Sequence, residues 1–262
     1  MNEQHITEAV YQFQLTSPSG EQFWAPYLRN DNFTQDTHVV RGLGKSHPED
    51  IQKSVDYIYK TIPHIVQQDV TRKLIDGSLE DISMNYKGVD CSGFAYYVYE
   101  HIYRNALSKD FFEILGVPKD QVLNGAYNYD DWRMSYQISD DEAHILPDVV
   151  PMKWVIEKYH RLPVRLCNVA CLISDYSSNE ISHEDLLPGD IVHMQTGPES
   201  VQHIAIINSI SSKRITMVHS TRVHPHDIGG VTFDEILVAK NRVHNLTRNL
   251  IYDNITFRRM HL

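Results

Sequence analysis

Three cysteines stand in the 262-residue chain, and one of them, Cys91, lies in "GVDCSGFAYYVYEHIY" between Asp90 and Ser92. A thiol becomes a nucleophile when its thiolate is stabilised; a helix N-terminus contributes partial positive charge, and a nearby imidazole contributes a base. Phe94, Ala95, Val98 and Ile102 follow the cysteine at helical spacing, and Asp90 suits an N-cap, so the pattern predicts a helix that begins at the thiol. Gly93 leaves room for close approach of another chain or a substrate. The first N–H groups of such a helix have no partner within it and are available to an oxyanion.

The matching base lies far downstream. "HIAIINSISSKRITMVH" reads as a β-hairpin. With its turn centred near Ser211, Ile207 faces Ile215, Ala205 faces Met217, and His203 faces His219. Opposed residues share a face, so the two imidazoles meet, one as the base for Cys91 and the other to hold its tautomer and orientation. A slip of one residue would send the rings to opposite faces. Taken alone, a free cysteine is more often a buried apolar residue than a nucleophile.

The elements that must position these groups are partly readable. Ile51, Val55, Ile58 and Tyr59 recur at helical spacing, with Pro63 as a break, whereas the residues up to Gly44 mix aromatics with the turn signals "SPSG" and "RNDN" and resist assignment. A middle region over residues 106–181 carries the turns "GVPKD" and "LNGAYNYDD" and a helix in "PMKWVIEKYH". After "LLPGD" the period changes to that of strands in "DIVHM", "HIAIINSI" and "RITMVHST", and "NITFRRMHL" closes the chain as another. The expected class is α+β, with the Cys91 helix packed on an antiparallel sheet.

Composition narrows the function classes. A formal net charge of -10 argues against a nucleic-acid or anionic-membrane partner, which would need a basic face. No stretch is long and apolar enough to span a membrane, and no basic-then-apolar leader opens the sequence, so the expected location is cytoplasmic, with signal-independent export or delivery as the other route. An odd cysteine count is unsuited to a disulfide framework.

"DCSGF" before a helix, then "LLPGDIVHM", "QHIAIINS" and "MVHST", together resemble the NlpC-type papain-like cysteine peptidases of bacteria. The resemblance implies a papain-like domain over residues 81–262, with an N-terminal segment over 1–80 and the 106–181 region as an insertion between nucleophile and base. It implies Cys91 as nucleophile, His203 as general base and His219 as the group orienting His203. Asp90 and Ser92 would hold the amine end of a substrate peptide; a plain N-cap is the competing reading of Asp90. Tyr86 is a loose stand-in for the pocket aromatic that relatives carry ahead of the cysteine. Asp190 in "PGD" would fix the turn into the strand.

The implied reaction is cleavage of an amide through an acyl-enzyme, in a bacterial cell-wall (peptidoglycan) peptide next to a γ-D-glutamyl residue, with a peptide or wall fragment as partner and no metal or organic cofactor. Alternatives are an acyltransferase or amidase of the same fold, or a non-catalytic binding module. The interval from Cys91 to His203 is about twice that of a compact member; the surplus is the middle region, which could cap the site and change what enters it, so the resemblance says more about mechanism than about substrate.

Other groups read as structural. His219, His224 and His226 do not follow a familiar metal-ligand spacing, and Cys167 and Cys171 sit in an apolar context suited to packing. "SDDEAH" reads as solvated surface and "YNYDDW" as a packed surface loop.

Overall fold

A computed structural model describes residues 2–27, 44–61, 88–123, 138, 140–159, 163–196, 201–212, 214–221 and 229–261. Helix α1 (Glu3–Tyr11) starts where Asn2 accepts the His5 N–H, and it buries Ile6, Ala9 and Val10 on one face. A short hairpin, β1 (Gln14–Thr16) and β2 (Gln22–Trp24), opposes Leu15 to Phe23. Helix α2 (Pro48–Thr61) has proline at its first position and two acids in its first turn, and buries Ile51, Val55 and Ile58. The segment that resisted assignment thus contains a capped helix and a hairpin.

Helix α3 (Cys91–Ile102) begins at the cysteine, as its sequence predicts, and Asp90 Oδ1 accepts the Gly93 N–H at 2.6 Å. It ends in a π turn over Tyr103–Leu107. The middle region then builds β3 (Gly116–Pro118), α4 (Lys119–Leu123), α5 (Asp140–Ile145), β4 (Val149–Pro151), α6 (Met152–Tyr159), α7 (Pro163–Leu166) and α8 (Val169–Ile173). Strand β5 (Ser178–Ile181), from the end of that region, joins the main sheet.

That sheet is antiparallel and eight-stranded. Its remaining strands are β6 (Ile191–Thr196), β7 (Val201–Ile210), β8 (Ile215–Thr221), β9 (Gly230–Ala239), β10 (Arg242–Asn245), β11 (Leu250–Tyr252) and β12 (Ile255–Met260), in the order β11-β10-β9-β8-β7-β6-β12-β5. The turn into β6 is built as expected of "LPGD". Gly189 has φ +94°, and the buried Asp190 carboxylate accepts the Leu187 N–H and two bonds from Arg259.

Alternation along the strands divides two apolar clusters between the faces. Ile204, Ile206, Val218 and Val231 pack with α1, α3 and the middle region, while Ala205, Ile207, Met217 and Val243 form the core of the other face. The N-terminal elements share the first cluster with the middle region.

The β7–β8 register differs from the one expected. Ile207 faces Met217 and Ile206 faces Val218, with a bulge at Asn208, whereas a turn centred on Ser211 would have put Ile207 opposite Ile215. The bulge adds a residue to β7 only, and a symmetrical turn makes no provision for that. The displacement is two residues at this end of the ladder, so the face of each side chain is retained.

Candidate active site

The register has a second consequence. The β7–β8 ladder stops at Ile206 and Val218, so the strands part at the end that carries His203 and His219. Ile207 bonds toward the β6 side through both its N–H and its C=O, so by alternation the Ile204 N–H is directed toward β8, into that gap. There it approaches the Cys91 sulfur. Helix α3 lies on the face of Ile204 and Ile206, while His203 shares the face of Ala205 and Ile207. Cys91 thus lies against the backbone of Ile204, the residue next to His203 in β7. Among the described residues no hydrogen bond joins Cys91 to His203.

His203 and His219 do come together, as expected, but as diagonal neighbours. His203 Nε2 lies 2.6 Å from His219 Nδ1, with the rings inclined at 62°. His219 is 1% exposed, and its Nε2 reaches Asp234 Oδ2 at 3.0 Å. The same oxygen accepts Asn245 Nδ2 at 2.6 Å and Arg248 Nε at 2.7 Å. Asn245 Oδ1 accepts the Arg248 N–H, which fixes the amide orientation. Asp234, Asn245 and Arg248 were missed in the sequence: they lie in a stretch without a motif, and only the folding of β9 beside β8 and of β10 beside β9 brings them to His219.

Electrostatics differ from the expectation of a pre-formed thiolate. Burial, followed by the Asp90 carboxylate, pushes the Cys91 thiol up to about 11, outweighing the Lys45 ammonium and the N–H groups of Ile204 and Ser92. The helix N-terminus favours the thiolate, but desolvation is the larger effect here. Burial and then the neighbouring His219 hold His203 well below the ordinary histidine value, and burial also lowers His219. The resting pair at neutral pH is a thiol and a neutral imidazole.

Lys45 is the other residue that the sequence reading passed over. The chain at Gly44–Ser46 lies beside the first turn of α3, with a bridge from Lys45 to Val89 and Asp90 N–H donating to Gly44 O at 2.7 Å. A Cβ on Gly93 would sit 2.6 Å from Gly44 O, so glycine is what permits this approach. Lys45 Nζ then donates to Asp90 Oδ1 at 2.9 Å and to Ser92 Oγ, away from water. Despite a desolvation penalty, the Asp90 carboxylate and then the Cys167 sulfur raise the Lys45 pKa. Asp90 is thus both the expected N-cap and a partner of Lys45, and the ammonium held by Asp90 and Ser92 in this structure is the chain's own.

Cys167 and Cys171 are buried free thiols, in keeping with packing roles; Cys171 Sγ donates to Leu166 O at 3.3 Å. Tyr86, His224, His226 and "YNYDDW" lie outside the described residues. The helical part of "SDDEAH" is α5, where Asp141 and His144 are exposed. No helix among the described residues is long and apolar enough to cross a membrane. Comparison of the chain with protein-family models, curated proteins and solved structures found no match.

Proposed function

We propose that this chain is a papain-like cysteine hydrolase that cleaves an amide through an acyl-enzyme. The observation carrying this reading is that Cys91, at the head of α3, lies against the backbone of Ile204, whose neighbour in β7, His203, is bonded to His219. As the Cys91 sulfur bonds to the acyl carbon, its proton passes to His203 Nδ1, because the resting pair is neutral and no thiolate waits. The Cys91 N–H, in the first turn of α3, is the donor expected to meet the oxyanion. The imidazolium then gives its proton to the leaving amine. Water, deprotonated by His203, releases the acid and restores the thiol.

The favoured substrate is a bacterial cell-wall peptide cut next to a γ-D-glutamyl residue, on the strength of the "DCSGF", "LLPGD" and "MVHST" resemblance. A non-catalytic binding module draws on one observation, the 9% exposure of Cys91. Incubation with γ-D-glutamyl wall peptides, followed by mass spectrometry of products, separates the two. The hydrolase reading expects a new amine and acid from the parent and none from Cys91→Ser; peptides left intact by the parent but bound by it would favour the module.

A further inference from the structure

The histidine pair is held by more than itself, and donor and acceptor chemistry decides where its protons are. Asn245 Nδ2 and Arg248 Nε can only donate, and both point at Asp234 Oδ2. The carboxyl is therefore ionised and can only accept, in agreement with a pKa held at about 2. His219 Nε2, 3.0 Å from that oxygen, must carry a hydrogen, since a bare nitrogen there would set lone pair against lone pair. A neutral His219 then has a bare Nδ1. Across the 2.6 Å contact, His203 Nε2 must be the donor, and a neutral His203 has a bare Nδ1.

We propose that Asp234, clamped by Asn245 and Arg248, is a positioning residue that fixes the tautomers of both histidines and leaves His203 Nδ1 bare to take the Cys91 proton. Its value to catalysis rests on the hydrolase reading; the tautomers do not. The opposite tautomer of His203 would carry its hydrogen on Nδ1, and that nitrogen could not act as base. Asp234 touches neither thiol nor substrate and acts only through His219. With His219 1% and Asp234 0% exposed, water does not compete for these bonds.

Nitrogen-15 NMR of the full chain labelled at histidine reads the tautomers without any substrate. The parent should show Nε2–H and bare Nδ1 for both His203 and His219. Asp234→Ala with Arg248→Met removes the acceptor together with the cation it would orphan, and should release both rings into mixed tautomers. In a His219→Asn background, where the amide oxygen can accept His203 Nε2–H without help, the same change should leave His203 unaltered. Rates of Cys91 thioester formation from an activated ester should fall roughly 10²-fold or more for the double change in the parent, and stay within about twofold in the His219→Asn background. A parent His203 protonated at Nδ1, or tautomers indifferent to loss of Asp234, overturns the proposal. Correct tautomers in a protein that forms no thioester would leave it standing and count against the hydrolase reading.

Discussion

Replacing Lys45 with methionine keeps most of the stem and deletes the ammonium that Asp90 and Ser92 share. The two charged side chains are 4% and 12% exposed, so solvent screens the pair weakly. Removing one partner of a buried pair strands the other charge, at about 3–5 kcal/mol. Asp90 would keep the Gly93 N–H at 2.6 Å and the Ser92 hydroxyl at 3.2 Å, which places the expectation at the lower end, about 3 kcal/mol. At about 2–4 °C per kcal/mol for a chain of this size, the thermal midpoint should fall by about 6–12 °C.

Adding Asp90→Asn removes the stranded charge while retaining a good cap, so the double variant should return to within about 1 kcal/mol of the parent. Urea denaturation of the parent, both single variants and the double variant completes the cycle. The Lys45 pKa is raised above 10.5, so its contribution is complete below that value and fades only as pH rises through the folded value. The deficit of Lys45→Met should accordingly be constant between about pH 6 and 9. A deficit under about 1 kcal/mol, or single costs that simply add in the double variant, would refute this account of the pair.

Other elements make equally definite predictions. Gly93→Ala forces its methyl against Gly44 O and should cost about 1–3 kcal/mol in urea denaturation, with the Gly44–Ser46 segment gaining proteolytic sensitivity. Asp190→Ala removes the acceptor of the Leu187 N–H and two of the bonds made by Arg259, which keeps Asp185 O, and should lower stability by about 1–3 kcal/mol while Asp190→Asn recovers part of it. Asp234 is depressed from 3.8 to about 2 on folding, so it contributes stability above the unfolded value that is lost as pH falls through about 2. That contribution is about 2 kcal/mol, and Asp234→Asn should flatten the fall in urea stability between about pH 5 and 2; an unchanged slope would contradict it.

What could be read in the sequence was what local chemistry determines. The Cys91 helix and its Asp90 cap follow from spacing within a single turn, and the Asp190 turn follows from "PGD". The strands at β6, β7, β8 and β12 follow from period-two runs. The meeting of His203 with His219 also survived, because a two-residue change of register preserves faces, although a bulge at Asn208 replaced direct opposition with a diagonal contact. Lys45 was illegible because its partner lies 45 positions away, across a bridge that no periodicity announces. Asp234 and Arg248 were illegible for the same reason: a carboxylate on a strand and an arginine in a turn acquire meaning only once β9 is laid beside β8 and β10 beside β9. The thiol's upward shift was hidden too, since burial is a property of the packed molecule and here it exceeds the effect of the helix terminus.

The central claim is that Cys91 takes an acyl group with His203 as its base. Its most direct test is intact-protein mass spectrometry after exposure to p-nitrophenyl acetate at neutral pH, with peptide mapping of the modified residue. The account predicts an acetyl thioester on Cys91 in the parent, none in Cys91→Ser, and formation slowed by roughly 10²-fold or more in His203→Ala. A Cys91 that stays unacylated, or one acylated at the same rate without His203, would contradict it.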